Sequence, residues 1–302
     1  MVRQMNHLHP DTRHVAGLPA EERLGHFGDD RWIGYTRALD ALARMGQLLA
    51  TQAGRIRPRN MLVVGPSNNG KSTIAEKFMR QHPRRTAVEG DRQIFSVLSV
   101  QMPSDATVGR FHALLLDSLG APVGQTRAVD RRGALARKLM RTCEVRMLLV
   151  DELHNLLCGP VSRQRELLGL LRYLGNDLRI PIVALGTRDA YLALRLDDQL
   201  ENRFQPFLLP RWRDDAETGR LLASFESVLP LREPSGLGLH ELRSLIVSRT
   251  DGLIGEIHQL LAAASVHALS IGRECITADD IVSCSFEAPA YRRQIMEREL
   301  RS

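Results

Sequence analysis

The first two thirds of the chain alternate short apolar runs with stretches that place apolar residues at helical spacing. The apolar runs MLVVG, IFSVLSVQM, VRMLLVDE and IPIVALGT predict strands over residues 61–65, 94–102, 145–152 and 180–187. The stretches around them predict helices over residues 35–52, 71–82, 107–120, 131–143, 162–177 and 188–195. This alternation indicates a parallel sheet covered by helices on both faces.

The pattern changes near Pro210, after which only helical periodicity remains. Helices are predicted over residues 214–229, 239–250, 255–270 and 277–285. The last has a clear start signal, with Thr277 as N-cap and Asp279 and Asp280 in the first turn. We therefore predict four segments: a partly irregular N-terminal arm (1–30), an α/β core (31–210), a small helical lid domain (211–285) and a C-terminal tail (286–302).

The composition shows an excess of basic residues and indicates the cellular compartment. The formal net charge is +6, with arginine-rich runs at 55–59, 82–85 and 130–132. This charge fits either an arginine-rich surface or a face that binds a polyanion. The four cysteines show no C-x-x-C spacing, and neither a bilayer-spanning segment nor an apolar signal core is present. We expect a soluble cytoplasmic protein with no membrane partner.

The segment GPSNNGKST (65–73) follows the first predicted strand and opens the next helix. Its spacing is that of the phosphate-binding loop G-x-x-x-x-G-K-[ST], in which backbone N–H groups surround phosphate at a helix N-terminus. Lys71 would reach the β- and γ-phosphates, and the Ser72 hydroxyl would bind Mg²⁺. The alternative is a plain glycine-rich turn. The predicted nucleotide-binding residues here are Gly65, Pro66, Ser67, Asn68, Asn69, Gly70, Lys71, Ser72 and Thr73.

Acidic and polar residues follow two later strands. The run MLLVDE places Asp151 and Glu152 at a strand end, where Asp151 would support Mg²⁺ and Glu152 would polarise a water for attack on the γ-phosphate. A strand followed by a helix cap is the other interpretation. Thr187, after ALG, would lie at the same sheet edge as a polar sensor. Arg203 is either a solvated surface arginine or an arginine finger that acts on a neighbouring subunit.

Together these motifs resemble the AAA+ ATPases, and within them the TniB/TnsC group of ATP-dependent transposition regulators. The resemblance covers roughly residues 29–285 and is carried by DDRWIGYTRALDAL, NMLVVGPSNNGKSTIAEKF, LLVDELHNL, VALGTRDAY, QLENRF and DGLIGEIHQLLAAAS. It implies an AAA+ core with a helical lid, ATP and Mg²⁺ as cofactors, and slow, assembly-dependent hydrolysis. It also implies that Arg203 is a finger and that Ile33 and Tyr35 lie beside adenine.

The same resemblance implies partners. Members of the group form rings or helical filaments on double-stranded DNA and connect a target-selection protein to the transposase, which would place this chain at the nucleoid. Residues 103–111 and 124–132 match the segments that contact DNA, so Arg110, Thr126 and Arg127 are the predicted phosphate contacts. One departure is Glu256, which stands where relatives carry a lid arginine and where a carboxylate would repel phosphate.

Other functions remain open at this point. A helicase-loader relative and a nucleotide-gated protein scaffold would both carry the same nucleotide motifs. A small-molecule kinase is the least favoured, because the second domain is a helical bundle and Arg203 suggests a site shared between subunits.

Overall fold

The computed structural model describes residues 5–29, 31–88, 90, 92–121 and 128–300. The chain divides into two compact units. Unit 1 comprises Met1–Tyr35, Asn68–Gly70 and Arg211–Ser302, and unit 2 comprises Thr36–Ser67 and Lys71–Pro210. Among the described residues, no helix has the length and apolarity that crossing a membrane requires.

Unit 2 is built on a five-stranded parallel sheet in the order β4-β5-β6-β1-β7. The strands are β1 (Asn60–Val64), β4 (Val97–Gln101), β5 (Met147–Asp151), β6 (Ile182–Gly186) and β7 (Phe204–Leu208). A short antiparallel hairpin of β2 (Arg85–Thr86) and β3 (Gln93–Ile94) precedes β4. The central strands are buried along nearly their whole length, which explains why they read as continuous apolar runs instead of alternating ones.

Seven α-helices in the described residues of unit 2 precede, separate or follow its strands along the chain. They are α3 (Thr36–Gln52), α4 (Lys71–Gln81), α5 (Val108–Ser118), α6 (Val129–Thr142), α7 (Val161–Leu178), α8 (Arg188–Leu194) and α9 (Asp198–Glu201). Apolar residues of the strands and of α5, α6, α7 and α8 form one buried core. The predicted parallel α/β core is therefore confirmed.

The strand β7 has no counterpart among the predicted strands. Its sequence FQPFL carries Pro206, which cannot donate a ladder hydrogen bond and so argues against a central strand. In the structure β7 is the edge strand beside β1, and an edge is where a strand tolerates proline.

The secondary-structure elements in the described residues of unit 1 are all helices, joined by turns and irregular segments. Its helices are α1 (Pro10–Ala16), α2 (Ala20–Arg23), α10 (Ala216–Val228), α11 (His240–Arg249), α12 (Ile254–Ser270), α13 (Ala278–Ser283) and α14 (Pro289–Glu299). Thr277 caps α13 reciprocally with Asp280, in agreement with the start signal in the sequence. The segments that the sequence suggested as an arm and a tail thus carry helices of this unit.

A buried ion pair ties the N-terminal segment into the helical core of unit 1. Arg23 is 1% exposed, and its guanidinium binds Glu274 through two hydrogen bonds of 2.7 and 2.8 Å. It also donates to the carbonyl of Pro230. Phe27 and Ile33 extend the same segment into the apolar core of this unit.

Candidate active site

Three strands of unit 2 deliver the predicted nucleotide-binding residues to one edge of the sheet. β5, β6 and β1 are neighbours and run parallel, so their carboxyl ends lie side by side. The glycine-rich loop follows β1, Asp151 ends β5, and Thr187 follows β6. The carboxyl edge of a parallel sheet is where open α/β folds bind ligands.

The backbone of the loop adopts the bends that its residue types allow. Asn68 and Gly70 have positive φ angles of 58° and 79°. Asparagine and glycine tolerate this left-handed region better than other residues. The N–H of Gly65 donates to the carbonyl of Gly186 at 3.2 Å, which links the start of the loop to the end of β6. The loop leads directly into α4, which begins at Lys71, so the N-terminus of this helix lies at the loop.

The ammonium group of Lys71 is held inside the loop. Lys71 is 5% exposed, and its Nζ donates to the carbonyls of Gly65 at 3.0 Å and Pro66 at 2.6 Å. Burial lowers the pKa of Lys71, while the carboxylates of Glu152 and Asp151 act in the opposite direction. A buried cation bound only to neutral carbonyls is poised to exchange them for an anion.

Ser72 and Asp151 meet across the sheet edge. The Ser72 hydroxyl donates to Asp151 Oδ2 at 2.6 Å, and the other carboxylate oxygen accepts from the N–H of Glu152 at 2.7 Å. A hydroxyl and a carboxylate in contact supply the hard oxygen ligands that Mg²⁺ prefers. Among the described residues, no cluster of three or more His, Cys, Asp or Glu side chains could hold a metal by itself.

Glu152 occupies a strained backbone position directly after β5. Its φ is 53° and its ψ is 36°, a left-handed conformation that is uncommon for glutamate. The bond from its N–H to Asp151 stabilises this turn. Such outliers persist where the surrounding structure requires them, often at functional sites. The Glu152 carboxylate lies 3.2 Å from His154 Nε2, a contact that the sequence alone did not suggest.

Thr187 ends β6 and precedes α8. Its Oγ1 is buried, makes no hydrogen bond in the structure, and does not cap the helix that it precedes. A buried hydroxyl without a partner is unusual and calls for a ligand or a water. The position at the sheet edge fits the predicted sensor role.

Arg203 lies at the opposite end of the strands, where β1 begins. It precedes β7, whose first residue Phe204 pairs with Asn60 at the start of β1, and its carbonyl accepts from the N–H of Asn60. Because β1 has five residues, the loop begins about 16 Å away along the strand. The guanidinium donates to Asn176 Oδ1 at 2.7 Å, and burial, together with nearby Arg57 and Arg172, lowers the pKa of Arg203. Arg203 is therefore far from the phosphate loop of its own chain.

Other predicted residues belong to unit 1. Ile33 is buried in its apolar core, and Tyr35 packs edge-on against Trp212 with ring centroids 5.1 Å apart. Burial, with a smaller effect of Glu217, raises the pKa of Tyr35 to about 12. The tip of the loop, Asn68–Gly70, groups with the same unit.

Glu256 of unit 1 is not an isolated carboxylate. It is 7% exposed, accepts from Asn68 Nδ2 at 3.1 Å, and pairs with Arg292 Nη2 at 2.5 Å. The negative charge that would repel phosphate is therefore compensated by an arginine of α14. Gly255 beside it lies so close to Asn68 that a Cβ at this position would clash with the Asn68 side chain at 1.8 Å.

The predicted DNA contacts are only partly described. Arg110 lies in the first turn of α5, which Thr107 caps, and its guanidinium pairs with Asp105. More than half of the Arg110 side chain is exposed. Thr126 and Arg127 lie outside the described residues.

Comparison with known proteins assigns the family. Residues 23–214, more than half of the chain, match the family described as bacterial TniB protein. The chain belongs to the TniB family. No curated protein matches the sequence.

Solved structures of other proteins share the fold of this TniB protein. The ORC2 protein of Aeropyrum pernix, solved as ADPNP-ADP complexes, has a TM-score of 0.62 and 19% identity over 85% of this chain and 70% of that chain. Cdc6p from Pyrobaculum aerophilum has a TM-score of 0.58 and 15% identity over 84% and 68%. The Aeropyrum pernix ORC1 protein in complex with DNA has a TM-score of 0.53 and 17% identity over 94% and 69%. At these identities the likeness shows the fold alone, that of an AAA+ P-loop NTPase.

Proposed function

We propose that this TniB protein is an ATPase that assembles on double-stranded DNA and regulates DNA transposition. The observation that carries the nucleotide part is the meeting of Ser72 and Asp151 at 2.6 Å beside the loop that holds Lys71. An anion site and a site for a hard cation thus adjoin at one sheet edge, as a magnesium nucleotide requires. The family name supports the link to transposition, and the ORC1 structure with DNA supports an interaction with DNA.

Each residue has a proposed role in that site. Lys71 and the N–H groups of the loop bind the phosphates, while Ser72 and Asp151 hold Mg²⁺. Bound Mg²⁺ would supply positive charge that neutralises the phosphate oxygens. Glu152 accepts a proton from the attacking water, and Thr187, whose buried hydroxyl lacks a partner, acts as the polar sensor. Ile33 and Tyr35 contact the adenine.

The assembly part of the proposal rests on Arg203. This residue lies at the far end of the strands, about 16 Å from the loop of its own chain, so it serves a second copy if it serves a nucleotide at all. A homo-oligomer, as a ring or a helical filament, would place Arg203 of one copy at the phosphates of the next. The target-selection protein and the transposase would then bind the assembled, nucleotide-bound state.

The first test separates binding from hydrolysis. Lys71→Ala should lose nucleotide binding, because the loop loses its side-chain cation, while Glu152→Gln should bind ATP and barely hydrolyse it. The measurements are titration with a fluorescent ATP analogue plus Mg²⁺ and phosphate release. The control is Lys138→Ala, which removes an exposed lysine of α6. Turnover by the glutamine variant equal to wild type would remove Glu152 from its role.

A second test addresses DNA and transposition. Sedimentation with duplex DNA in the presence of ATP should pellet the wild type and not Lys71→Ala. Stimulation of a cognate transposase by the wild type would then support the transposition role. Nucleotide binding without any DNA binding would favour a protein scaffold, and DNA binding without an effect on the transposase would favour a helicase-loader relative.

A further inference from the structure

His154 is a histidine of the candidate site that the proposed reaction leaves without a role. It belongs to the 3-10 helix Leu153–Cys158, which starts directly after the left-handed turn at Glu152. This geometry brings the His154 ring back to the carboxylate, with Nε2 3.2 Å from Glu152 Oε2. Both side chains are largely covered, with exposed fractions of 21% for His154 and 32% for Glu152.

The opposite side of the ring faces the end of β6. A Cβ added to Gly186 would lie 3.4 Å from His154 Nδ1 and 3.5 Å from the His154 backbone nitrogen. The His154 ring therefore lies against the end of β6. Thr187 is the next residue, so the ring lies between Glu152 and the strand end that carries the proposed sensor.

Two buried polar atoms near this strand end lack hydrogen-bond partners in the structure. They are His154 Nδ1 and Thr187 Oγ1. Buried polar atoms in proteins are nearly always bonded, to protein or to an ordered water. One atom lies close to Gly186 in space, and the other belongs to the next residue in sequence.

A glutamate that acts as a base needs a fixed carboxylate. The Glu side chain has several rotatable bonds, and a base that is displaced by about 1 Å loses much of its rate. A neighbouring group that binds one carboxylate oxygen restricts this motion and leaves the other oxygen for the water. Groups that orient a reacting residue in this way are typically worth about 10–100-fold.

We propose that His154, whose ring lies against the end of β6, is a positioning residue that holds the Glu152 carboxylate through Nε2. The inference rests on the proposed ATPase function, in which Glu152 is the base. His154 does not touch the phosphates or the water in this scheme. It acts through Glu152.

The contact itself is tested without any turnover. In protein labelled with ¹⁵N-histidine, the His154 ring signals are assigned by their loss in His154→Gln. Glu152→Gln should then move the His154 Nε2 signal more than that of any other histidine. A His154 signal that does not move in Glu152→Gln would overturn the proposal.

The positioning role is tested by splitting kcat from nucleotide affinity. His154→Phe keeps a ring of similar size but cannot bind the carboxylate, and it should lower kcat about 10–100-fold with the nucleotide Kd within about 2-fold of wild type. His154→Gln carries an N–H donor and should recover part of kcat. The control is His82→Phe, which changes a partly buried histidine directly after α4 whose ring contacts that of Phe78, and which should keep kcat.

A double substitution shows whether His154 acts through Glu152. In a Glu152→Gln background, His154→Phe should lower kcat no further. Equal kcat values for His154→Phe and wild type, or a loss of affinity without a loss of kcat, would overturn the positioning role. If wild-type hydrolysis is no greater than that of Lys71→Ala, it is the ATPase proposal that fails, while the ¹⁵N experiment still decides whether Glu152 and His154 interact.

Discussion

At the scale of single residues, three residues of this TniB protein are in unfavourable environments. Lys71 is bound only by backbone carbonyls, Thr187 has no partner, and Glu152 stands in a left-handed turn. The buried ammonium of Lys71 and the unpartnered hydroxyl of Thr187 cost stability in the free protein, and in our proposal nucleotide or a bound water relieves these costs. The left-handed turn at Glu152 is a separate strain, which the bond to Asp151 holds in place.

His112 of α5 is another residue in an unfavourable environment. It is 5% exposed, and its ring packs so closely on α6 that a Cβ at Gly133 would lie 2.6 Å from it. Burial lowers the pKa of His112, and the nearby Arg137 and Arg132 act in the same direction, while the backbone of Val129 and the carboxylate of Asp130 oppose them. The folded state therefore resists protonation of this ring.

This gives a prediction on pH. Because the folded-state pKa lies below the ordinary value of 6.5, the unfolded chain takes up a proton first as the pH falls below 6.5, and stability declines. His112→Gln should make the free energy of unfolding less pH-dependent below that pH, by up to about 1.4 kcal/mol per pH unit. Urea unfolding at several pH values measures it. His14→Gln, at an exposed position, is the control, and equal pH profiles for His112→Gln and wild type would contradict the prediction.

At the scale of elements, an ion pair with a nearly buried carboxylate links the helix α14 to α12. Arg292 of α14 pairs with Glu256 of α12, which also accepts from Asn68. The Glu256 side chain is 9% exposed, so removal of Arg292 would leave a nearly buried charge with a single neutral donor. The Arg292 guanidinium thus compensates the negative charge of Glu256.

We predict that Arg292→Ala lowers the free energy of unfolding by about 1–3 kcal/mol. Glu256→Gln in the same chain should restore most of the loss, because the uncompensated charge is then absent. Chemical denaturation of the two variants and of the double variant measures this. Arg293→Ala removes the neighbouring, exposed pair with Asp251 and should cost less than about 1 kcal/mol. A larger cost for Arg293→Ala than for Arg292→Ala would contradict this account.

At the scale of the whole molecule, the two ends of the strands have different proposed roles in an oligomer: one binds nucleotide, and the other acts on the nucleotide of a neighbouring copy. The phosphate loop lies at one end and Arg203 at the other. Arg203→Ala should keep the nucleotide affinity of the monomer and lose the hydrolysis that depends on assembly. Mixed with Lys71→Ala, it should regain activity, since some interfaces then combine an intact loop with an intact Arg203.

Phosphate release across mixing ratios measures this complementation. Arg195→Ala, an exposed arginine that pairs with Glu201, is the control and should hydrolyse ATP like wild type. A mixture that co-assembles and yet stays inactive would show that Arg203 does not act in trans.

DNA binding also belongs to the whole molecule, because one weak contact is repeated in every copy of an oligomer. Arg110→Ala/Arg127→Ala should lower the slope of log K against log salt by roughly 0.9 for each lost phosphate contact per copy. Affinity should fall similarly on unrelated sequences, since phosphate contacts carry no sequence information. Arg80→Ala removes an exposed arginine that, like Arg110, is paired with a carboxylate, and should leave the slope unchanged. An unchanged slope in the double variant would place the DNA surface elsewhere, for example at residues 55–59.

The sequence by itself determined the features that depend on local order along the chain. Strands β1, β5 and β6 are apolar runs that could be read directly, and the spacing from Gly65 to Ser72 identified a phosphate loop because that loop is one continuous segment. Tertiary structure decided what depends on distant residues. It placed Arg203 at the far end of the strands, added β7 beside β1, and joined Glu256 to Arg292. The contact of His154 with Glu152 is short in sequence, yet it required the left-handed turn at Glu152. Periodicity and motif spacing carry no information on such packing, because it arises only when separate elements occupy the same region of space.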